Sequence, residues 1–126
     1  MANSATAQTV LPIRMQHATS DKHFVTPVAV VIDTTATDLT VYTPASDAYA
    51  AIVGLHINDS TAANLTIKSG STTLLTLEMA ANQTINHAIG QGIFLSTAEG
   101  EALKFNSSGA LSNVLVYIAE YSDLGI

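Results

Sequence analysis

The chain has 126 residues, of which 11% are charged, and its formal net charge is −6. This length suits one domain, which can bury about two thirds of the surface that the unfolded chain exposes. Because the sequence has no cysteine, it has neither a disulfide framework nor a thiolate site. The four basic residues, Arg14, Lys22, Lys68 and Lys104, are too scattered for the basic stripe that a phosphate backbone requires. Composition therefore argues against nucleic-acid binding.

The N-terminal sequence MANSATAQTVLPIRM has no basic segment followed by an apolar one, so it does not resemble a secretory signal. No apolar run reaches the roughly 18–20 residues that span a bilayer. We therefore expect a chain that is synthesised in a cytoplasm and does not enter a membrane.

Residues 1–24 are rich in Ala, Ser, Thr and Gln and predict an extended N-terminal arm. One short strand is predicted at 9–15, and Pro12 limits it to the edge of a sheet. The arm is either a frayed terminus or a segment that becomes ordered on a neighbouring subunit. The second interpretation uses four apolar anchors: Val10, Leu11, Ile13 and Met15.

From residue 25 to residue 126 the sequence predicts one β-domain. Short apolar runs alternate with clusters of Asn, Asp, Ser, Thr and Gly at intervals of about eight to twelve residues, as in an antiparallel β-sandwich or barrel. We predict an all-β, jelly-roll-like sandwich of eight or nine short strands. The runs lie at 28–32, 39–42, 49–57, 64–68, 72–79, 84–89, 93–96, 102–105 and 114–121.

The last predicted strand is apolar on both faces. One face carries Val114, Val116 and Ile118, and the other carries Leu115, Tyr117 and Tyr121. A strand of this kind is buried on both sides. Since a two-layer sandwich covers one side only, we expect Leu115, Tyr117 and Tyr121 to lie at a subunit interface.

Residues that could carry chemistry are few and scattered. The four histidines match no metal-ligand spacing, although His56 and His87 lie on separate predicted strands and could meet across a sheet. Glu99 and Glu101 flank a glycine in a predicted loop, where carboxylates usually stabilise the turn. No serine lies in a G-x-S-x-G context. We therefore predict no catalytic residue, no metal site and no cofactor.

Residues 50–121 resemble small β-sandwich structural proteins of tailed bacteriophages. The resemblance lies in the strand AAIVGLHI with its Asn/Thr turn, in TIKSGST, in GIFLSTAEGEALKF and in the last strand VLVYIAEY. It implies a capsid decoration, or cement, protein on the outer capsid surface of the virion. Such proteins are often homotrimers that bind the major capsid protein and clamp neighbouring capsid subunits. The resemblance carries no catalytic residue.

Two alternatives remain open. The chain could occupy another virion position, in the neck, the tail or a fibre. In a different class, it could be a glycan-binding β-sandwich, although it has no Trp for a stacking platform. A glycan-binding role predicts that Tyr42, Tyr49 or Tyr121 lies exposed beside a groove.

Overall fold

A computed structural model describes residues 3–8, 11–13, 23–88 and 92–121. Within these ranges the protein is all-β, with no helix and with two antiparallel sheets that pack together. No helix in this part of the chain is long and apolar enough to cross a membrane. The strands are β1 (Ser4–Ala7), β2 (Leu11–Ile13), β3 (His23–Ile32), β4 (Ala36–Tyr42), β5 (Tyr49–Asn58), β6 (Ala63–Ser69), β7 (Thr72–Met79), β8 (Thr84–His87), β9 (Leu95–Ser96), β10 (Leu103–Ser107) and β11 (Leu111–Tyr121).

The large sheet has the strand order β1-β3-β11-β5-β8, and the small sheet has the order β4-β10-β6-β7. Two further short strands extend the edges of the large sheet, because β2 also pairs with β3 and β9 also pairs with β5. If each interrupted edge is counted as one strand, the sandwich has nine, five in one layer and four in the other. The predicted β-sandwich is confirmed, and the jelly-roll assignment remains a prediction.

Alternating side chains build the core between the sheets. In β6, Ala63, Leu65 and Ile67 are buried, while Asn64 is exposed and Thr66 is half-exposed. Leu55 and Ile118 meet them from the facing large sheet, and Phe105 packs beside them from β10 of the small sheet. All of these residues belong to one contiguous cluster. Each large apolar side chain that is fully buried contributes roughly 1.5–3 kcal/mol to folding.

A bulge in β5 changes which residues face the core. Tyr117 of β11 is opposite Gly54 and Ile118 is opposite Ile52, so Val53 is an extra residue in the register. Strict alternation along 49–57 would place Ala51, Val53, Leu55 and Ile57 on one face, but Leu55 and Ile57 join the core, whereas Ala51 and Val53 join a second cluster. A bulge shifts the alternation by one residue, and the periodicity of the sequence does not reveal it.

The second cluster consists of Val25, Ala51, Val53, Ala119 and Tyr121, all at most 1% exposed. Ile93 and Tyr117 are partly buried and pack against it. These residues come from β3, β5 and β11 of the large sheet, and they are separate from the core between the sheets. The large sheet is therefore apolar on both of its faces.

Hydrogen bonds tie together the end of the sandwich at which β11 finishes. The Tyr42 hydroxyl donates to Glu120 Oε1 at 2.6 Å, and the Ala45 N–H donates to Glu120 Oε2 at 3.0 Å. Nearby, the Gly100 N–H donates to the Ala48 carbonyl at 2.7 Å. The loop between β4 and β5 is thereby fixed both to β11 and to the loop before β10.

The buried Ser69 hydroxyl closes the same end. It donates to Glu101 Oε1 at 2.6 Å and accepts from the Ala98 N–H at 2.9 Å. The next residue, Gly70, donates its N–H to the Ala102 carbonyl at 2.9 Å. The β6–β7 turn is therefore held against the segment that precedes β10.

Candidate interaction surface

The candidate site is the face of the large sheet that points away from the core, in the part that the second cluster does not occupy. We call it the outer face. Its central row crosses four strands, because Leu115 is opposite both Ala29 and His56, and His56 is opposite Asn86. The outer face consists of Ala29, Val31, His56, Asn58, Thr84, Asn86, Asn113, Leu115 and Tyr117, all exposed or half-exposed.

Two shallow grooves cross the outer face, and Leu115 and His56 line both. The first, of about 380 Å³, also contacts Val31, Asn58 and Asn113. The second, of about 450 Å³, extends to Tyr117. No charged side chain of the described residues lines either groove. In a chain with a net charge of −6, these grooves place no carboxylate directly against a partner.

The outer face has an apolar half and a polar half. On β3 and β11 the side chains of Ala29, Val31 and Leu115 are half-exposed. On β5 and β8 the side chains are amides, a hydroxyl and an imidazole, and Asn58 Nδ2 donates to Thr84 Oγ1 at 2.7 Å. An apolar area beside neutral polar groups, without charges, matches the depletion of charged residues in the core of protein–protein interfaces.

The three interface candidates on the last strand differ in their surroundings in the structure. Leu115 and Tyr117 are half-exposed and lie on the outer face. Tyr121 is 1% exposed and belongs to the second cluster, so it has almost no surface left for a partner. Tyr121 is therefore a residue of the chain's own packing, although it shares the parity of Leu115 and Tyr117 along β11.

The predicted arm is placed in part. Leu11 and Ile13 lie in β2, where they are opposite Val25 and His23 of the same chain. Val10 and Met15 lie outside the described residues, so their role as anchors stays a prediction. The boundary predicted at residue 24 falls inside β3, which begins at His23.

Asn3 fixes the start of β1. Its Oδ1 accepts from the Asp33 N–H at 2.9 Å and from the Thr34 N–H at 3.4 Å, and its Nδ2 donates to the Thr35 carbonyl at 3.4 Å. β1 then pairs with residues 28–31 of β3. The N-terminal strand is thus joined to the sheet that carries the outer face.

The tyrosines that a glycan platform would use lie elsewhere. Tyr42 is half-buried, and burial together with its hydrogen bond to Glu120 raises the pKa of Tyr42 to about 12. Tyr49 is half-buried and lines neither groove, and Tyr121 is buried. Of the two grooves on the outer face, the second is bordered by a tyrosine, Tyr117.

The histidines form no metal site in the described part of the chain, where no group of three or more His, Asp or Glu side chains could hold an ion. His56 and His87 lie on neighbouring strands and both line the second groove. His87 Nε2 lies 3.1 Å from the Gly92 carbonyl, and its ring lies 5.2 Å from the Phe94 ring. His23 is in β3, and His17 lies outside the described residues.

Two carboxylates, Glu101 and Asp38, have structural contacts. Glu101 accepts the Ser69 hydroxyl, and Asp38 accepts from Lys68 Nζ at 2.7 Å. The Lys68 ammonium beside Asp38 lowers the pKa of that carboxyl below its usual value. Both contacts lie away from the outer face and its grooves.

Comparison with the models of known protein families found no match, and neither the curated proteins nor the solved structures contain a chain to which this one is significantly similar. The function is therefore inferred from the chain's own surfaces.

Proposed function

We propose that the chain is a structural protein of a bacteriophage virion, namely a decoration protein that binds the major capsid protein on the outer surface of the shell. The proposal includes self-association, as a homotrimer. The observation that carries it is the uncharged outer face, with Leu115 half-exposed in its central row and Tyr117 half-exposed beside the second cluster. Its role is mechanical, and it involves no catalytic residue and no cofactor.

Burial supports an assembly role for this face. The second cluster occupies the neighbouring part of the same sheet face, and its residues Val53 and Ala119 are fully buried. The apolar area extends from this cluster to Leu115 and Tyr117, whose side chains are half-exposed to solvent. Covering them with a partner surface removes apolar area from water, at a gain of about 25 cal/mol per Å² before the costs of association.

Charge supports the outside of the shell. A chain with a net charge of −6 is repelled by packaged DNA, and its two described lysines, Lys68 and Lys104, lie side by side on the small sheet, opposite each other in β6 and β10. The outer face lies on the other sheet, and neither lysine lines its grooves.

The test is binding to emptied, expanded shells of the major capsid protein. We expect the wild-type chain to bind in many copies and to raise the temperature at which the shells come apart. Leu115→Glu places a charge at the centre of the contact and should weaken binding at least about tenfold, since a buried unpaired charge costs several kcal/mol. Thr61→Glu adds the same charge at an exposed position of the β5–β6 turn and should bind like the wild type.

Two results would contradict the proposal: no binding of the wild-type chain to the shells, or equal binding of Leu115→Glu and wild type. Labelling whole virions distinguishes the alternative position. Many copies over the shell support decoration, whereas a few copies at one vertex or along the tail indicate a neck, tail or fibre protein.

A glycan-binding role is the second candidate, and Tyr117 is the observation that favours it. Its ring borders the second groove together with His56 and Asn86, which offer an imidazole and an amide to hydroxyl groups. The test is an NMR titration with a panel of neutral oligosaccharides. Shifts at these three residues that disappear in Tyr117→Ala would support the role, and no shifts at millimolar sugar would rule it out.

A further inference from the structure

The sandwich has four sheet edges, and three of them are short or irregular. One edge of the large sheet consists of β1 and β2, with Pro12 in β2, and the other consists of β8 and β9, with four and two residues. On the small sheet, β4 contains Asp38 at a φ of 52° and has two register shifts against β10. These features prevent an edge from pairing with another chain.

The fourth edge, β7, has eight residues and neither a lysine nor a proline. Its pairing with β6 shifts once, at Leu74, which has no opposite residue. From Leu75 to Met79 the pairing is regular, with Leu75 opposite Ile67 and Leu77 opposite Leu65. β7 therefore presents five regular residues whose second side has no strand among the described residues.

Half-exposed apolar side chains lie along this side of the sandwich. Leu74 and Leu77 of β7 pack on the core and are partly exposed. The same holds for Ile85 of β8, for Leu95 of β9 and for Phe94, which precedes β9. We call these five residues the β7 seam. An added strand on β7 would pair with the backbone groups that no described strand reaches, and would cover the seam at the same time, as in β-strand addition.

We propose that β7 pairs antiparallel with β7 of a second copy of this chain, about a twofold axis at Leu77. The two small sheets then form one continuous sheet of eight strands. In this register Leu77 is opposite Leu77 of the second copy, and Leu75 is opposite Met79. Apolar side chains meet on the core side, and the regular stretch of each strand is used in full.

The outward side of β7 favours a second copy as the occupant. Thr76 and Glu78 point outward, since they are opposite Thr66 and Asn64 of β6, which alternate with the buried residues of that strand. In the proposed register each Thr76 is opposite Glu78 of the other copy, so the hydroxyl can donate to the carboxylate and no like charges face each other. Like charges directly opposite would destabilise the pair.

This contact does not depend on the capsid role. It uses β7 of the small sheet, whereas the proposed capsid contact uses Leu115 and Tyr117 of the large sheet. If the chain also forms trimers, each trimer carries three β7 edges, and the β7 contact raises the mass beyond that of one trimer. Failure of one proposal therefore leaves the other intact.

Sedimentation equilibrium of the purified chain tests the pairing. Thr76→Glu places two carboxylates opposite each other at two symmetric positions, and we expect the dissociation constant of the β7 contact to rise about tenfold. Adding Glu78→Lys to this variant should restore the wild-type mass, since each new pair is then of opposite charge. Thr61→Glu is the control for added charge and should keep the wild-type mass.

Cross-linking tests the register, because the chain contains no cysteine of its own. A mixture of Thr76→Cys and Glu78→Cys proteins should form a heterodimeric disulfide about tenfold faster than a mixture of Thr61→Cys and Glu78→Cys, owing to the high effective concentration in the paired strands. The proposal is overturned by a wild-type chain that shows no association sensitive to Thr76→Glu, or by equal rates in the two mixtures. Circular dichroism of each variant checks that the sandwich is folded.

Discussion

The Tyr42 hydroxyl donates a 2.6 Å hydrogen bond to the Glu120 carboxylate and so joins β4 of the small sheet to β11 of the large sheet. The second carboxylate oxygen accepts from the Ala45 N–H. One side chain therefore holds two layers and a loop in register. Hydrogen bonds to a charged acceptor are the stronger ones, at about 1.5–3 kcal/mol net.

Tyr42→Phe removes this bond and leaves one oxygen of Glu120 without its donor. We expect the free energy of unfolding at pH 7 to fall by about 1–3 kcal/mol, measured by urea denaturation. Tyr49→Phe is the matched control, because the Tyr49 hydroxyl has no hydrogen-bond partner among the described residues. Equal effects of the two substitutions would contradict the role of the Tyr42–Glu120 bond.

The same bond makes stability sensitive to alkaline pH. Burial and the neighbouring Glu120 raise the pKa of Tyr42 from its ordinary value of 10.0 to about 12. Because the fold favours the neutral phenol, its contribution is complete below pH 10 and is lost as the pH rises to about 12. The stability difference between wild type and Tyr42→Phe should therefore shrink from pH 10 to pH 12. A difference that stays constant over this range would show that Tyr42 titrates normally.

Gly100 lies where a side chain has no room. Its φ is +73°, and a Cβ atom would come 2.8 Å from the Ser46 carbonyl oxygen. We expect Gly100→Ala to lower the free energy of unfolding by about 1–3 kcal/mol, because both the backbone conformation and the loop contact are strained. At Gly109 an added Cβ would meet its nearest neighbour, Ala63 Cβ, at 3.8 Å, so Gly109→Ala should change stability by less than about 1 kcal/mol. Thermal unfolding of both variants gives the comparison.

Tyr121 and Leu115 should respond differently although both are on β11. Tyr121→Ala removes a fully buried aromatic ring from the second cluster and should cost about 3–5 kcal/mol of stability. Leu115→Ala, at a half-exposed position, should cost about 1 kcal/mol or less and should weaken association instead. Denaturation and shell binding are measured on both proteins. A large loss of stability in Leu115→Ala would place this residue in the chain's own packing.

The sequence rhythm predicts where most strands lie, because turns rich in Asn, Ser and Gly separate them. It does not predict the bulges at Val53 and Leu74, because no residue type marks either position. The first bulge reverses the alternation along its strand, and the second interrupts it. The sequence does not predict which strands pair either. His56, Asn58, Thr84 and Asn86 form the polar half of the outer face because β5 pairs with β8. The alternation of side chains along β11 identifies Leu115 and Tyr117 as interface candidates. Tyr121 fits the same alternation, and only the structure shows that other residues cover it at the end of the strand.

The positions of Ser4 and Tyr121 determine how the sandwich responds to a pulling force. Ser4 is opposite Val31 at one end of β3, whereas Ala119 is opposite Val25 near the other, so β1 begins and β11 finishes at opposite ends of the same sheet. Tension between these two points runs along the strand axes. It loads the hydrogen bonds of β1 with β3, and those of β11 with both of its neighbours, in shear. Many hydrogen bonds must then break at the same time instead of one after another. We therefore expect the fold to withstand a high pulling force before it unfolds.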